Sequence, residues 1–356
     1  MSDKVFIKGC HAVAESAIRA GCNGFFGYPI TPQNEIGEYM SEHIAEHGGV
    51  FLQAESELTA SAMVYGAVAT GKRAMTSSSG PGIALMQETF SGMVASQVPC
   101  VIVNMCRGGP GGGVIQPGQC DYTQMVKGGG NGDYNIIVYT PNSVQELVDF
   151  TYLAFDTADK YRSPVFILGD AVLAQMMEKA SFPDFKTDFP EKMWAANGRR
   201  ADGVQRKKNY VVNVHVQVEL CEAHNDMLQA KFNKMKEEEP MWVETETEGA
   251  DLILVSYGIS SRICETVVKM AKKEGLKIGL FRPQTVWPFP EKRLNELAVN
   301  TKKFLCVELS CGQMIEDVER ILKCDAEAFH YGRKGGVIHT TTEILKKAKE
   351  IMGRGN

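Results

Sequence analysis

The feature that most constrains this sequence is the alternation, along residues 1–180, of short apolar β-branched runs with longer segments of helical periodicity. Such alternation is typical of a parallel sheet covered by helices. The predicted strands are Gly24–Tyr28, Val50–Gln53, Arg73–Ser77, Val98–Met105, Ile136–Tyr139 and Pro164–Leu168. The predicted helices are Ala12–Ala20, Gln33–Glu46, Glu57–Ala69, Ile83–Ala95 and Val144–Thr157. In a doubly wound domain of this kind, ligands bind in the loops at the carboxyl ends of the strands.

The rest of the chain divides into a connector and a second α/β unit. Over residues 181–249 the periodicity weakens, and one helix is predicted at Val218–Glu238. The same pattern of strands and helices returns over residues 250–356, which is long enough for one small domain. A basic group in the connector is interpreted as a solvated surface in preference to a contact with a partner or an anionic cofactor tail. Its members are Arg199, Arg200, Arg206, Lys207 and Lys208.

Composition excludes several classes of function. The net charge of -5 and the pI near 5.9 argue against nucleic acid or an anionic membrane as a principal partner. No apolar run approaches the roughly 18 residues that a membrane span needs, and the first residues lack a signal core. We therefore expect a soluble, cytoplasmic protein whose ligand is small. None of its ten cysteines forms a CxxC pair, which argues against an iron–sulfur cluster or zinc ribbon in this chain.

Two motif matches lack the context that their function requires. The run Gly66–Lys72 has phosphate-loop spacing, but it closes an apolar helix and is followed by Arg73 in place of Ser or Thr. The HxxEH group of His43, Glu46 and His47 has no third metal ligand and lies at a predicted helix end. The sequence therefore predicts no phosphate loop and no metal site.

Two loops after predicted strands have the composition of a ligand site. Gly27–Pro32 reads GYPITP, and we predict that Thr31 caps the following helix with Pro32 in its first turn. A helix N-terminus at this edge of a sheet also suits a carboxylate. Thr76–Gly82 reads TSSSGPG and offers backbone N–H groups to an anion or to a flat ring, although such a loop is weak support on its own.

Two further strand ends carry charged residues. Ala54–Leu58 reads AESEL and places Glu57 in the first turn of an apolar helix, where an acid ordinarily complements the helix dipole. Cys106–Gly113 reads CRGGPGGG and places Arg107 where its two-pronged guanidinium can bind a carboxylate. The glycines after it allow close approach of the backbone.

Together and in this order, these motifs resemble the alpha subunit of the 2-oxoacid:ferredoxin oxidoreductases, which are thiamine diphosphate enzymes. The resemblance extends over the second unit, where RPQTVWPFP (Arg282–Pro290) and ELSCGQM (Glu308–Met314) look like a transketolase C-terminal domain. It implies a fold with a pyrimidine-type thiamine diphosphate domain over 1–180, the connector, and a transketolase C-terminal-like domain over 250–356. It also implies an oxygen-sensitive enzyme of anaerobic metabolism.

The resemblance implies roles for particular residues. Glu57 would be the catalytic glutamate that hydrogen-bonds N1′ of the aminopyrimidine, with Glu55 as the competing candidate. Thr31 and Arg107 would bind the carboxylate and keto oxygen of the substrate. The remaining cofactor-binding positions would be Tyr28, Pro29, Ile30, Ser79, Gly80, Pro81, Gly82, Gly108 and Gly109.

One expected element is missing from the sequence. Thiamine enzymes hold the diphosphate and Mg²⁺ with a GDG element, whereas Gly132 and Asp133 are followed here by Tyr134. The resemblance therefore implies a shared site, in which a beta subunit binds the diphosphate and carries a [4Fe-4S] cluster. A gamma subunit and a ferredoxin-like delta subunit would complete the complex, with coenzyme A as acyl acceptor and ferredoxin as electron acceptor.

Three readings of the function differ in substrate or in class. The chain length and the CRGG sequence are most similar to the subunits that act on branched-chain 3-methyl-2-oxobutanoate. A 2-oxoglutarate enzyme stays open, and it would need a second cation near Arg107, for which Lys127 is the nearby candidate in sequence. A non-catalytic assembly subunit is the third reading, and the retention of Thr31, Glu57 and Arg107 disfavours it.

Overall fold

The computed structural model describes residues 4–197, 208–323 and 326–353. Its strands are β1 (Val5–Lys8), β2 (Gly24–Gly27), β3 (Val50–Gln53), β4 (Ala74–Ser78), β5 (Val101–Gly108), β6 (Val114–Pro117), β7 (Ile137–Tyr139), β8 (Val165–Asp170), β9 (Met177–Ala180), β10 (Trp242–Thr245), β11 (Leu252–Val255), β12 (Ile278–Pro283), β13 (Thr285–Trp287), β14 (Lys303–Glu308) and β15 (Glu327–Gly332). Its helices are α1 (Gly9–Arg19), α2 (Asn34–His43), α3 (Glu57–Ala69), α4 (Gly80–Leu85), α5 (Gln87–Ala95), α6 (Tyr122–Val126), α7 (Val144–Tyr161), α8 (Ala171–Gln175), α9 (Val218–Glu238), α10 (Gly258–Lys273), α11 (Glu291–Asn300), α12 (Met314–Leu322) and α13 (Thr341–Met352). A short 3₁₀ helix, Ile44–His47, follows α2.

The first unit is built on a sheet with the strand order β13-β7-β8-β5-β4-β2-β3. Strands β2 to β8 on this path pair in parallel, and β6 pairs antiparallel with the end of β5. The apolar run VIVNM at the start of β5 is buried throughout, as expected for a strand covered by helices on both faces. The doubly wound α/β architecture predicted from the sequence is confirmed for this unit.

The second unit has a smaller sheet with the order β10-β12-β11-β14-β15. Strands β12, β11, β14 and β15 are parallel, and β10 adds an antiparallel edge. Its separate apolar core lies between this sheet and helices α10 and α13, with Val267, Leu280 and Ile344 among its fully or almost fully buried side chains. This unit therefore also has the predicted α/β architecture.

One strand of the large sheet comes from the second half of the chain. Strand β13 pairs antiparallel with β7, with Thr285 opposite Tyr139 and Trp287 opposite Val138. The backbone N–H of Thr140 also donates to the carbonyl of Gln284 at 2.8 Å. The sheet of the first unit is thus completed by residues that follow position 250.

Buried polar contacts fix how the two units face each other. The Arg282 guanidinium donates to both carboxylate oxygens of Glu146, at 2.8 and 2.6 Å. Asp170 caps α8 and also accepts a hydrogen bond from the backbone N–H of Ile259 at 3.2 Å. Loops of the second unit lie at the carboxyl ends of β4 and β5, where Lys334 shares a cavity with Gly80 and Arg107.

The connector contributes α9, as the sequence predicts, and this helix buries Leu228 and Phe232 against the main core. Of the basic group, Lys208 is exposed, whereas Arg199, Arg200, Arg206 and Lys207 lie outside the described residues. In the part of the chain that the structure describes, no helix has both the length and the apolar character needed to cross a bilayer.

Candidate active site

Glu57 is the first residue of α3 and lies where the chain enters this helix from β3. The Ser56 hydroxyl caps the helix by accepting a hydrogen bond from the Thr59 N–H at 3.3 Å. The Glu57 side chain is turned inward and is 8% exposed, and it has no hydrogen-bond partner among the described residues. Glu55 differs, because it is exposed and its carboxylate accepts a hydrogen bond from the Thr59 hydroxyl.

The serine and glycine loop after β4 packs directly against Glu57. A Cβ at Gly82 would overlap Ser78 Oγ and would lie 2.6 Å from Glu57 Oε1, so glycine is required for this close approach. The hydroxyls of Ser78 and Ser79 are buried and have no hydrogen-bond partner within residues 4–197, 208–323 and 326–353. Buried polar groups almost always have partners, so these two hydroxyls are available to a bound group.

The GYPITP segment forms a turn before its helix. The N–H of Gln33 donates to the carbonyl of Ile30 at 3.1 Å, and α2 begins only at Asn34 with Gln33 as its N-cap. The prediction that Thr31 caps this helix, with Pro32 in its first turn, is therefore wrong. The Thr31 carbonyl instead accepts a hydrogen bond from Arg107, and the Pro32 carbonyl accepts one from Gln175.

Arg107 lies near the end of β5 and links three of the predicted loops. Its Nη1 donates to the Thr31 carbonyl at 2.9 Å, and its Nε is buried with no partner among the described residues. Together with Gly80, Pro81, Gly108 and Gly109 it lines a cavity of about 590 Å³, the Arg107 cavity. The structure therefore brings these five predicted residues to one cavity.

Other predicted residues lie beside the Arg107 cavity. Thr31 lines a neighbouring cavity of about 450 Å³. Tyr28 and Pro29 line a third, of about 240 Å³, with residues of α2 and β3. Ile30 belongs to the turn that joins them and is partly buried. The GYPITP segment thus lines two cavities, and it meets the Arg107 cavity only through the hydrogen bond between Arg107 and the Thr31 carbonyl.

The second unit supplies residues that the sequence analysis missed. Lys334, Cys311 and Gln313 line the Arg107 cavity from loops of the second sheet. The close approach of these loops depends on glycine, because a Cβ at Gly108 would lie 2.9 Å from the backbone nitrogen of Gly336. The sequence signal was the Lys334-Gly335-Gly336 run after a strand, although only the tertiary structure relates it to Arg107.

Lys127, which the sequence suggested as a second cation near Arg107, forms its ion pair in another part of the structure. Lys127 forms an ion pair with the buried Asp317 at 2.6 Å and does not line the Arg107 cavity. It lies instead at the largest of the described cavities, about 1020 Å³, which is formed with α11 and α12 and contains none of the predicted site residues. The suggestion that Lys127 serves the substrate pocket is therefore not supported by its position, and Lys334 is the lysine that lies there.

A compact group of potential metal ligands adjoins the Arg107 cavity. The Sγ atoms of Cys106 and Cys120 and a carboxylate oxygen of Asp121 all lie within 4.8 Å of one another. Asp121 already accepts a hydrogen bond from the Asn104 amide at 2.9 Å. This group escaped the search for CxxC spacing because the two cysteines lie on either side of the glycine-rich loop.

Comparison with known families gives the class to which this fold and site belong. The family described as pyruvate flavodoxin/ferredoxin oxidoreductase, thiamine diphosphate-binding, matches residues 15–247. Core domain II of pyruvate:ferredoxin oxidoreductase matches residues 250–344. The fold and these matches define a thiamine diphosphate-binding α/β protein. Within that class, the chain belongs to the pyruvate flavodoxin/ferredoxin oxidoreductase family, in agreement with the resemblance of its motifs.

Several curated relatives match nearly the whole chain. The ketoisovalerate oxidoreductase subunit VorB of Methanothermobacter marburgensis is 46% identical over 98% of this chain and 98% of its own length. The 2-oxoglutarate synthase subunit KorA of the same organism is 37% identical over 99% of this chain and 100% of its own length. Relatives with two different substrates in their names thus share the full extent of this chain.

Solved structures also match the fold of this chain. The 2-oxoglutarate:ferredoxin oxidoreductase from Magnetococcus marinus superimposes with a TM-score of 0.85 at 26% identity. This match covers 99% of this chain and 66% of that chain. A split-gene transketolase matches with a TM-score of 0.59 at 12% identity over 98% of this chain and 99% of that one, a likeness of fold alone. The predicted thiamine diphosphate fold with a transketolase-like second unit is confirmed.

Proposed function

We propose that this chain is the alpha-type subunit of a thiamine diphosphate-dependent enzyme that oxidatively decarboxylates 3-methyl-2-oxobutanoate. Coenzyme A would accept the acyl group, carbon dioxide would leave, and ferredoxin would accept the electrons. The similarity to a ketoisovalerate oxidoreductase subunit over 98% of both chains supports this substrate. The proposal includes a cytoplasmic location.

The observation that carries the proposal is the polar cluster of Glu57, Ser78 and Ser79 around Gly82. The two serine hydroxyls are buried with no partner within the described residues, and the missing Cβ of Gly82 lets Ser78 and the largely buried Glu57 approach closely. These groups fit the aminopyrimidine of thiamine diphosphate, whose nitrogens can satisfy both an acceptor and hydroxyl groups. When bound, thiamine diphosphate supplies the carbon nucleophile and the electron sink for decarboxylation of a 2-oxoacid.

The residues of this chain would bind and orient the reactants. A buried Glu57 carboxylate can hold a proton at the ring nitrogen that faces it, which is the role of a positioned acid–base group. Arg107 can direct guanidinium N–H groups at a substrate carboxylate, since its Nε has no protein partner in the described part of the chain. Its bond to the Thr31 carbonyl holds the guanidinium in place.

The surroundings of Glu57 support a site shared with a partner subunit. Large apolar side chains are exposed on α3 and on segments that lead into it or adjoin it, namely Tyr28, Leu52, Leu58 and Leu85, with exposed fractions from 37% to 56%. Exposed apolar patches mark interaction surfaces. Because the sequence lacks a GDG element, we propose that a beta subunit covers this surface and holds the diphosphate and Mg²⁺. The [4Fe-4S] clusters would lie in the beta and delta subunits, and a gamma subunit would complete the complex.

Replacement of the catalytic candidate tests the proposal directly. In the purified complex, we expect Glu57→Gln to lower 2-oxoacid-dependent viologen reduction by at least about 10²-fold, the usual contribution of an acid–base group. The amide keeps the shape of the side chain but removes the carboxylate. Size-exclusion chromatography should give the same assembly as the wild type, because the change adds no volume.

Glu55→Gln is the matched control, since Glu55 is two residues away and exposed. We expect it to leave activity within about twofold of the wild type. Full activity of the Glu57→Gln complex would refute the catalytic assignment and favour a non-catalytic assembly subunit. Loss of activity in the Glu55 variant alone would move the catalytic role to Glu55.

A second candidate function is the same reaction with 2-oxoglutarate, and Lys334 is the observation that favours it. This lysine lines the same cavity as Arg107 and offers a cation for a second carboxylate. The 2-oxoglutarate synthase subunit that matches this chain over 99% of its length keeps this candidate open. Comparison of kcat/KM for 3-methyl-2-oxobutanoate, 2-oxoglutarate and pyruvate in one preparation decides between them, and we expect the branched-chain substrate to be preferred.

Lys334→Met tests whether this cation recognises a second carboxylate. If it does, the KM for 2-oxoglutarate should rise roughly tenfold or more, the value of one charged hydrogen bond. The KM for 3-methyl-2-oxobutanoate, which has a single carboxylate, should not change. Equal effects on both substrates would exclude a specific role for Lys334 in the choice between them.

A further inference from the structure

Two cysteine side chains contact the backbone of the residue that is proposed to bind substrate. Cys106 Sγ lies 3.6 Å and Cys120 Sγ lies 3.2 Å from the carbonyl oxygen of Arg107. The two sulfur atoms are within 4.8 Å of each other. Cys106 is fully buried in β5, whereas Cys120 is half-buried and lines the Arg107 cavity.

We propose that Cys106 and Cys120 are a thiol pair that a hydroperoxide converts to a disulfide, which weakens binding of the 2-oxoacid at Arg107. The formation of the bond follows from the cysteine geometry. Its effect on substrate rests on the proposed function.

The two cysteines differ in solvent exposure and in pKa, so they have different roles in the reaction. Cys120 accepts a hydrogen bond from the Gly109 N–H at 3.3 Å, and it is the member that solvent in the cavity can reach. The neighbouring Cys106 thiol, and after it the Gly109 N–H, lowers the pKa of Cys120 below its usual value. Burial raises the pKa of Cys106 and keeps it a thiol. The accessible thiolate is therefore the one that reacts first.

The reaction balances in two steps. The Cys120 thiolate attacks one oxygen of hydrogen peroxide, the O–O bond breaks, and hydroxide leaves to take up a proton as water. Cys120 is now a sulfenic acid. Cys106 loses its proton and attacks the Cys120 sulfur, the S–O bond breaks, and the second water leaves. Two thiols and one peroxide thus give one disulfide and two waters.

Formation of this bond must move the loop that carries the cavity. A disulfide has sulfurs about 2.05 Å apart, closer than the two thiols lie now. Cys106 is held in the centre of the sheet, where β5 pairs with β8 and Cys106 lies opposite Asp170. We therefore expect Cys120 to move towards Cys106. This movement would break its hydrogen bond from the Gly109 N–H and release the glycine-rich loop beside Arg107.

The neighbouring Asp121 does not convert the pair into a better metal site. Its carboxylate is buried and already accepts a hydrogen bond from the Asn104 amide at 2.9 Å. Asp121 would be only the third ligand, one fewer than a structural zinc site uses, and no fourth His, Cys, Asp or Glu joins this group among the described residues. Disulfide formation needs no further ligand, so we favour it, and metal analysis belongs to the test.

The test uses the complete complex, purified anaerobically and freed of reductant. A brief exposure to a small molar excess of hydrogen peroxide is followed by denaturing alkylation, reduction, and a second alkylation with a distinguishable reagent. Mass spectrometry should find Cys106 and Cys120 protected together in the first alkylation, with Cys221, an exposed cysteine of α9, left free. The KM for the 2-oxoacid should rise several-fold, and dithiothreitol should restore it.

Variants separate the pair from other effects of peroxide. Cys120→Ser should leave Cys106 free and should abolish the reversible change in KM, and Cys106→Ala should abolish the disulfide while Cys120 still reacts. Cys221→Ser is the matched control and should behave as the wild type. Damage to clusters in partner subunits would lower kcat irreversibly in every variant, which distinguishes it from the thiol effect.

Three results would overturn the proposal. These are oxidation of Cys120 with Cys106 still free, pairing of Cys120 with Cys311 across the cavity, and stoichiometric zinc that protects both thiols. A Cys311→Ser variant identifies the second case, because it would abolish protection of Cys120. If the Cys106–Cys120 bond forms in a complex that turns over no 2-oxoacid, the thiol pair is confirmed and the proposed function is what fails.

Discussion

Gly82 determines how closely α4 can approach α3, and through that distance it sets the packing around Glu57. The overlap of a Cβ with Ser78 Oγ, and its 2.6 Å distance to Glu57 Oε1, leave no room for a larger residue. The side chains concerned are the ones proposed to face the aminopyrimidine. A change of one methyl group here therefore acts on the site and not only on stability.

Gly82→Ala should weaken thiamine diphosphate binding by at least about tenfold, because the new methyl group displaces either Glu57 or Ser78. The measurement is the concentration of thiamine diphosphate that restores half-maximal activity to the cofactor-depleted complex. Gly66→Ala is the matched control, since a Cβ at Gly66 in α3 meets nothing within 4 Å. That change should leave cofactor binding intact and raise stability by up to about 1 kcal/mol. Similar cofactor binding by both variants would contradict the close packing at Gly82.

Single residues differed in how well the sequence predicted them. Glu57 and Arg107 could be proposed from the sequence because each follows a strand within a motif of several residues. Lys334 was not, since a lysine beside two glycines is an ordinary surface loop until the fold brings it to the Arg107 cavity. Lys127 was wrongly placed beside Arg107 because the two residues are close in sequence. In the fold, Lys127 pairs with the buried Asp317 carboxylate and does not line the Arg107 cavity.

Whole elements were predicted best where local signals agree. Helix α3 has its bounds as predicted, because Ser56 is a good N-cap and the following residues are good helix formers. Strands β1 and β9 were missed, since they form a separate two-stranded antiparallel sheet that joins opposite ends of the first unit. The cap of α2 was misplaced at Thr31 because residues Ile30–Gln33 form a turn before the helix. Local sequence patterns do not encode a pairing between strands as far apart as β1 and β9.

The loop between β15 and α13 encloses a histidine that resists protonation. His339 is 4% exposed, its Nε2 lies 3.1 Å from the Tyr331 carbonyl, and its Nδ1 is buried without a partner among the described residues. Burial lowers its pKa to about 4 from 6.5. The unfolded chain binds a proton that the folded chain does not, so this stabilisation is present above pH 6.5 and is lost as the pH falls towards 4.

His339→Gln should flatten the acid side of the stability profile. We expect the wild type to lose on the order of 2 kcal/mol more than the variant between pH 7 and pH 5, from about 1.4 kcal/mol per pKa unit. Urea unfolding at a series of pH values gives this difference. His47→Gln, a change at an exposed histidine, should retain the wild-type slope. Parallel profiles for the wild type and the His339 variant would exclude a buried neutral histidine.

At the scale of the whole molecule, one carboxyl group joins the two units. Asp170 caps α8 in the first unit, accepts a hydrogen bond from Ile259 in the second, and is 1% exposed. Burial raises its pKa to about 6 from 3.8, although three backbone N–H groups oppose the shift. The folded chain therefore binds this proton more tightly than the unfolded chain. Its contribution is fully present below pH 3.8 and is lost as the pH rises through 6.

Asp170→Asn removes this titration. Relative to the variant, the wild type should lose about 1 kcal/mol of unfolding free energy between pH 5 and pH 7, a sign opposite to that of His339. Any loss of the Ile259 hydrogen bond adds a constant offset, so the difference in slope is the readout. Asp226→Asn, at an exposed position on α9, should keep the wild-type slope. A slope in the Asp170 variant equal to the wild type would show that the carboxyl is ionised throughout.

Strand β13 makes the order of folding differ from the order of synthesis. Residues 4–180 leave the ribosome with the outer edge of β7 unpaired, and its partner, Thr285–Trp287, follows about a hundred residues later. Until then, β7 has a free edge that can pair with the backbone of another chain, and its three residues, buried in the folded protein, lack their cover. Proteolytic cleavage of the connector in the folded protein would cut the chain in two. The two fragments would stay together, because β13 of the second pairs with β7 of the first. The two fragments should therefore co-purify, and co-expression of both should succeed where expression of the first alone gives aggregates.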